Sequence, residues 1–388
     1  MILAALVTLA VQVSLAPSAA AHGRSMGRSI VTLDDDGGGA EIRLTVSLLD
    51  RDALFAQLGG PERLAPALTG GLYLSGPAGP CRASAPAALP APTGQAAFRW
   101  RVRCPSPPDR LVCDLLVAVI PGHVHLSRLV QHGRGTVVAF GADRRVANLD
   151  RPPIAPGWSG FVGMGLDHVT SGVDHLLFLL TLLLVAGTLR ELALAATGFT
   201  VGHTVALLLA VAIGARPSAA GIEVLVAASI AVVAAEGAAA RAGRTGRRVP
   251  LGVAGGLVAV AGLAAASGSQ VSLALLGLAL LAGCYLSWIG RAPDGRVRIM
   301  VTGLFGLIHG FAFAGPLADL DLHGGALATA LISFNLGIEL AQLGLLAAGW
   351  LALGALRRRL PGATGFAVDA AAAAAVAPAV YWMIIRSV

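Results

Sequence analysis

Lysine is missing altogether from these 388 residues, and charge of either sign is scarce. Charged residues make up 13% of the chain and hydrophobic ones 56%, whereas a soluble protein is about a quarter charged. With a mean hydropathy of +0.76, that deficit excludes a soluble globular protein and leaves an integral membrane one. The net charge of +7 invites a nucleic-acid reading, which the placement of the cations excludes. All of them are arginine, and in the apolar half they sit in short loops, as the positive-inside rule expects. Cysteine is sparse too: Cys81, Cys104, Cys113 and Cys284, with no CxxC among them. A thiolate zinc site is therefore disfavoured. No HExxH occurs either, so the helical zinc-protease signature is absent.

What is present divides the chain. Residues 1–21 are apolar and end in Ala19-Ala20-Ala21, a small-residue cleavage pattern that reads as a signal peptide. Cleavage there leaves His22 as a new N-terminus, offering an α-amine and an imidazole to a metal. Residues 22–150 read as an exported, mostly β domain, with a small β-sandwich as the expected architecture. Glu41 to Leu48, Ala97 to Cys104 and Leu111 to Ile120 alternate as half-buried strands do. Pro- and Gly-rich pieces at 76–80, 86–94 and 105–108 separate them as turns. Residues 123–130 and 135–140 form a hairpin across His132-Gly133-Arg134-Gly135. His123 and His125, two apart on a strand, face one side and can chelate. Export permits one disulfide, either Cys81–Cys104 or Cys104–Cys113.

Residues 151–157 are a Pro-rich linker, and 158–388 read as a polytopic transmembrane helix bundle. Apolar runs long enough to span occur at about 171–189, 191–213, 220–240, 250–267, 271–290, 299–318, 325–353 and 364–385, eight candidate spans. With the N-terminal domain outside, the inner loops hold Arg190; Arg241, Arg244, Arg247 and Arg248; Arg291, Arg296 and Arg298; and Arg357 to Arg359. The outer loops hold little beyond Arg216, Asp319 and Asp321. That asymmetry fits a multi-pass protein with its N-terminal domain extracytoplasmic, and not the inverse.

Ionisable residues inside membrane-length helices cost a few kcal/mol each and mark functional sites. The first span opens on two Asp-His pairs seven residues apart, Asp167-His168 and Asp174-His175. In a straight helix such pairs share a face about 10 Å apart. Because helical side chains lean towards the N-terminus, His168 then points away from His175, and both reach one ion only if Ser171-Gly172 breaks the helix. Asp167 and His168 are accordingly placed at an entrance or in a second shell. Further along come Thr200, His203 and Thr204 on one stripe, Glu223, Ser229 and Glu236 on the third span, His309 between two glycines, and Asn335, Glu339 and Gln342. Asp174, His175, His203, His309 and Glu339 fall at similar depth and form the expected metal-binding set. Thr200, Glu223 and Asn335 support it, while Ser229 and Gln342 read as interhelical hydrogen-bonding groups. Imidazole with carboxylate suits nickel, zinc, cobalt or ferrous iron.

Four linked motifs resemble the HupE/UreJ family. They are Gly165-x-x-His168-x-x-x-Gly172-x-Asp174-His175-x-x-Phe178, Phe199-Thr200-x-x-His203-Thr204, Gly306-Leu307-Ile308-His309-Gly310-Phe311-Ala312-Phe313-Ala314 and Phe334-Asn335-x-Gly337-x-Glu339. The resemblance spans about 160–345 and implies a bacterial membrane protein tied to hydrogenase and urease maturation, regarded as a nickel permease. The His168-x5-Asp174-His175 spacing is also similar to the His-x4-Asp-His motif of nickel/cobalt transporters, but one residue longer. Gly237 follows Glu236 where a polar Asn is expected. The function expected is secondary transport of a divalent transition metal, nickel first, with zinc or cobalt as alternatives. The competing readings are an intramembrane zinc-dependent hydrolase built on the same cluster and a non-catalytic metallocentre accessory protein. The partners expected are the metal ion, the lipid bilayer and urease or hydrogenase maturation proteins, with no nucleic acid.

Overall fold

The computed structural model describes residues 26–58, 60–91, 95–118, 120, 123–132, 134–141, 144–149, 157–185, 187–213, 219–241, 248–289, 295–318 and 324–387. The signal-peptide segment, almost all of the linker, and Arg216, Arg244, Arg247, Arg291, Asp319 and Asp321 lie outside them. The chain divides into two compact units, residues 24–161 with 318–326, and residues 162–317 with 327–388.

The first unit is built on strands β1 (Met26–Leu33), β2 (Gly39–Ser47), β3 (Leu72–Gly76), β4 (Gly79–Pro80), β5 (Arg82–Ala83), β6 (Ala87–Leu89), β7 (Gln95–Arg103), β8 (Arg110–Cys113), β9 (Val124–Gln131), β10 (Arg134–Phe140) and β11 (Val146–Asn148), with helices α1 (Leu48–Leu58) and α2 (Leu64–Gly71) inserted after β2. One sheet runs β10-β9-β1-β2-β7-β5, with β6 also on β7; the other runs β11-β8-β3-β4. In β2 the alternation puts Ala40, Ile42, Leu44 and Val46 inside, since successive strand residues face opposite sides. They share one core with Trp100 of β7 and with Leu72, Leu74 and Leu111 of the other sheet. β1 pairs in parallel with β9, a long-range join that no local turn signal announces. The strand expected over Leu111 to Ile120 stops at Cys113. From there the backbone turns, with the amides of Asp114 and Leu115 both bonding to the carbonyl of Gly71 and Leu116 at φ 60°. Of the two expected disulfides the protein makes Cys81–Cys104, leaving Cys113 as a buried free thiol.

The second unit is helical: α3 (Trp158–Ser171), α4 (Val173–Val185), α5 (Leu189–Ile213), α6 (Ala219–Arg241), α7 (Arg248–Ala266), α8 (Ser272–Ile289), α9 (Gly295–Ala318), α10 (Gly324–Arg359) and α11 (Pro361–Ser387). Its burial is inverted relative to a water-soluble fold. Leu273, Leu280 and Phe366 are 77%, 72% and 79% exposed, whereas His203, Ser229 and Gln342 are at most 1% exposed. Apolar side chains outward and polar ones inward is the pattern of a bundle solvated by lipid. Among the described residues six helices are long and apolar enough to cross a membrane, seven if the bent pair α3–α4 is one span. The 25 residues of α5 rise about 38 Å, more than the roughly 30 Å of a hydrocarbon core.

Two helix crossings bring backbone against backbone. A side chain at Gly165 of α3 would strike the carbonyl of Phe334 in α10, and one at Gly337 the carbonyl of Val162. Likewise, side chains at Gly202 of α5 and Gly306 of α9 would strike the carbonyls of Gly303 and Phe199. Small residues permit such approach, which is how helices associate in lipid.

Candidate metal centre

The ligand-bearing side chains hang from these two crossings and from the break between α3 and α4. The two helices meet at 71°, and Gly172 is the only residue between them. Hydrogen bonds continue through the bend, from the Gly172 amide to the His168 carbonyl (3.1 Å) and from the Leu176 amide to the Gly172 carbonyl (2.9 Å). Residue 172 needs glycine because a Cβ there would lie 2.8 Å from the His168 carbonyl, 2.9 Å from the His175 ring and 3.1 Å from Asp174 Oδ1.

That bend replaces the straight-helix geometry. His168 and His175 face each other, Nε2 to Nε2, at 3.0 Å, so His168 lies directly beside the cluster, though outside its three-ligand group. Around them the ring centres of His175 and His309 lie 5.4 Å apart, His168 and His203 6.0 Å, and His175 and His203 6.5 Å. One ligand atom each from Asp174, His175 and His309 lies within 4.8 Å of the others. Asp174 sits in the first turn of α4, where the helix dipole favours a carboxylate, and its Oδ1 accepts the His175 amide at 2.9 Å.

Each outer imidazole is oriented by a neighbour. Ser229 Oγ lies 3.1 Å from His309 Nε2, and Asn335 Oδ1 lies 3.1 Å from His203 Nδ1. Asn335 is itself fixed by donating to the Leu331 carbonyl at 2.8 Å. The opposite ring atoms, His309 Nδ1 and His203 Nε2, are buried and find no hydrogen-bond partner among the described residues. Buried polar atoms are normally satisfied, so these two stand out as candidate ligand atoms. Ser229, read from sequence as an interhelical hydrogen-bonding group, makes that bond from α6 to His309 of α9. Phe178 and Phe199 line the His309 side, and Phe313 and Phe334 the His168 side, with ring centres 5.0–5.5 Å away.

Other expected members stand apart. Glu339 accepts Thr197 Oγ1 at 2.6 Å and Thr200 Oγ1 at 2.5 Å, and it is not in the three-ligand group. Gln342 joins the same polar patch, its Oε1 accepting Thr200 Oγ1 at 3.2 Å. Glu223 pairs with Arg386 at 3.3 Å. Glu236, on α6, pairs with Arg298 at 2.7 Å and accepts the Tyr285 hydroxyl at 2.5 Å. Asp167 is exposed, its carbonyl accepting Ser171 Oγ at 2.6 Å.

Fold and site together define an integral membrane helix bundle with a buried histidine and carboxylate cluster. The family model for HupE / UreJ protein matches residues 150–282 and 281–386, and the chain belongs to that family. No curated protein matches it.

Proposed function

We propose that the protein is a permease for a divalent transition metal, nickel first, and that Asp174, His175 and His309 bind the ion in transit with His168 and His203 beside them. The observation carrying this reading is the convergence of those three ligand atoms within 4.8 Å at a glycine-broken helix inside the apolar bundle. Interrupted helices with near-midplane sites are how transporters let a dehydrated ion bind and leave. Three protein ligands, one of them anionic, hold a dication without burying it unpaired. Membership of the HupE/UreJ family agrees with a metal-transport role. In this reading the chain crosses a bacterial inner membrane seven or eight times, the region 22–150 is exported, and the arginine-rich loops face the cytoplasm. Urease or hydrogenase maturation proteins would consume the delivered metal.

The test is uptake of radioactive nickel by cells expressing the protein or its His175→Ala variant at equal membrane abundance. Loss of the conferred uptake is expected. Uptake unchanged in the variant overturns the reading. A zinc ion that co-purifies at one per chain and resists dialysis would instead favour the hydrolase, since three ligands with an open position is also the catalytic zinc arrangement.

A further inference from the structure

The β-rich unit holds a second pair of histidines that the membrane cluster leaves unused. His123 and His125 are 2% and 0% exposed, at the start of β9. Side chains alternate along a strand, so His125 shares its face with Ser127 and Leu129, and Leu129 belongs to the shared core. The parallel neighbour β1 sets Gly27 beside His125 and Ser29 beside Ser127. Ser29 Oγ lies 2.6 Å from Ser127 Oγ and 3.0 Å from His125 Nε2. Polar side chains are thus buried on the same strand face as a core residue, each costing about 1–3 kcal/mol to bury unsatisfied.

One atom is left over. His125 Nδ1 is buried and finds no hydrogen-bond partner among the described residues. In the tautomer whose Nε2–H donates to Ser29, Nδ1 presents a bare lone pair, the arrangement in which an outer hydrogen bond orients a metal-ligating histidine. Burial holds both imidazoles down to a pKa of about 3, so they are neutral and ligand-ready at physiological pH. Their nitrogens converge on a single place. A Cβ at Gly27 would lie 2.5 Å from His125 Nδ1 and 3.0 Å from His123 Nε2. Any side chain at residue 27 would press on both rings.

We propose that His123 and His125 form a copper(I) site in the β-rich unit, with Gly27 as its cradle and Ser29 as a positioning residue. Imidazole is a ligand for copper, and cuprous ion is content with two donors in line, whereas structural zinc takes four. Because the cost of desolvating an ion grows with the square of its charge, a monocation enters a buried site at about a quarter of the cost of a dication.

The test uses full-length protein in detergent under anaerobic conditions, with His175→Ala and His309→Ala introduced to silence the membrane cluster. Copper(I) is titrated against bicinchoninate as a competing chelator. One copper per chain is expected. Adding His123→Gln or His125→Gln should weaken binding on the order of 100-fold, and Gly27→Ala, which keeps both imidazoles, about tenfold or more. X-ray absorption of the copper-loaded protein should show two nitrogen neighbours. Retention of the Cys81–Cys104 disulfide and of the melting transition reports folding of each variant; where a variant fails to fold, the absorption spectrum of the intact pair decides. Unchanged copper affinity in the folded histidine variants, sulphur in the shell, or tighter binding of zinc or nickel at this pair would each overturn the proposal.

Discussion

His168 Nε2 lies 3.0 Å from His175 Nε2 although seven residues separate them in sequence. An unbroken helix would hold their backbones about 10 Å apart with both side chains leaning the same way. The 71° bend at Gly172 swings α3 so that its last histidine reaches the first turn of α4. Two rings at hydrogen-bond distance cannot both carry a proton between their facing nitrogens, so at most one donates and the other offers a lone pair.

Gly172→Ala should damage the centre without removing any ligand. The added methyl meets the His168 carbonyl, the His175 ring and Asp174 Oδ1 within 3.1 Å, so at least one of them must move. Nickel affinity by equilibrium dialysis should fall about tenfold, as it does when the surroundings of metal ligands are disturbed. Affinity equal to the parent's would show that the bend does not set the ligand positions.

Single removals should rank by distance from the ligand group. His309→Ala is expected to lower nickel affinity on the order of 100-fold or more, and Ser229→Ala, which only frees the His309 ring, about tenfold. Glu339→Gln keeps an oxygen for Thr197 and Thr200 and should change affinity less than about tenfold. A Glu339→Gln loss matching that of His309→Ala would return Glu339 to the ligand set.

Glycine substitutions should separate contact faces from lipid faces. Gly202→Val drives a side chain into the Gly303 carbonyl and should destabilise the bundle by about 1–3 kcal/mol, the usual cost of overpacking. Gly277→Val has no neighbour within 4 Å of its new Cβ and should leave the melting temperature in detergent nearly unchanged. Equal shifts for the two would contradict the α5–α9 crossing.

The Cys113 thiol is pushed up to about 12, first by burial and then by the Asp114 carboxylate. Its folded pKa lies above the ordinary 9.0, so the folded state holds its proton where the unfolded chain releases it. The sign follows from linkage: the contribution is intact below pH 9 and is lost as pH rises from there towards 12. In native protein at mildly alkaline pH, iodoacetamide should leave Cys113 unmodified, and unfolding in urea should expose it. Rapid labelling of the native chain would refute this.

Much of the membrane half was legible because period and apolarity speak for single helices. The runs at 191–213, 220–240 and 271–290 correspond closely to α5, α6 and α8. His175, His203 and His309 were likewise readable as costly residues at one depth. What required the structure was every effect of one helix on another. Glu339 and Asn335 share a face of α10, yet Asn335 turns to His203 while Glu339 is held by threonines of α5. Ser171-Gly172 did signal a break, but its angle comes from packing. In the β-rich unit the hairpin β9–β10 announced itself locally, whereas the parallel β1–β9 pairing joins segments about 100 residues apart and leaves no local trace.

The glycine crossings bear on how far the histidine cluster can yield. Where Gly165 abuts Gly337 and Gly202 abuts Gly303, the main chains themselves are in contact, with no flexible side chain between them to yield. His203 follows Gly202 by one residue, and His168 follows Gly165 by three. Each of those imidazoles is therefore carried by a helix whose nearest crossing is rigid main chain, and displacing it means prising two helices apart.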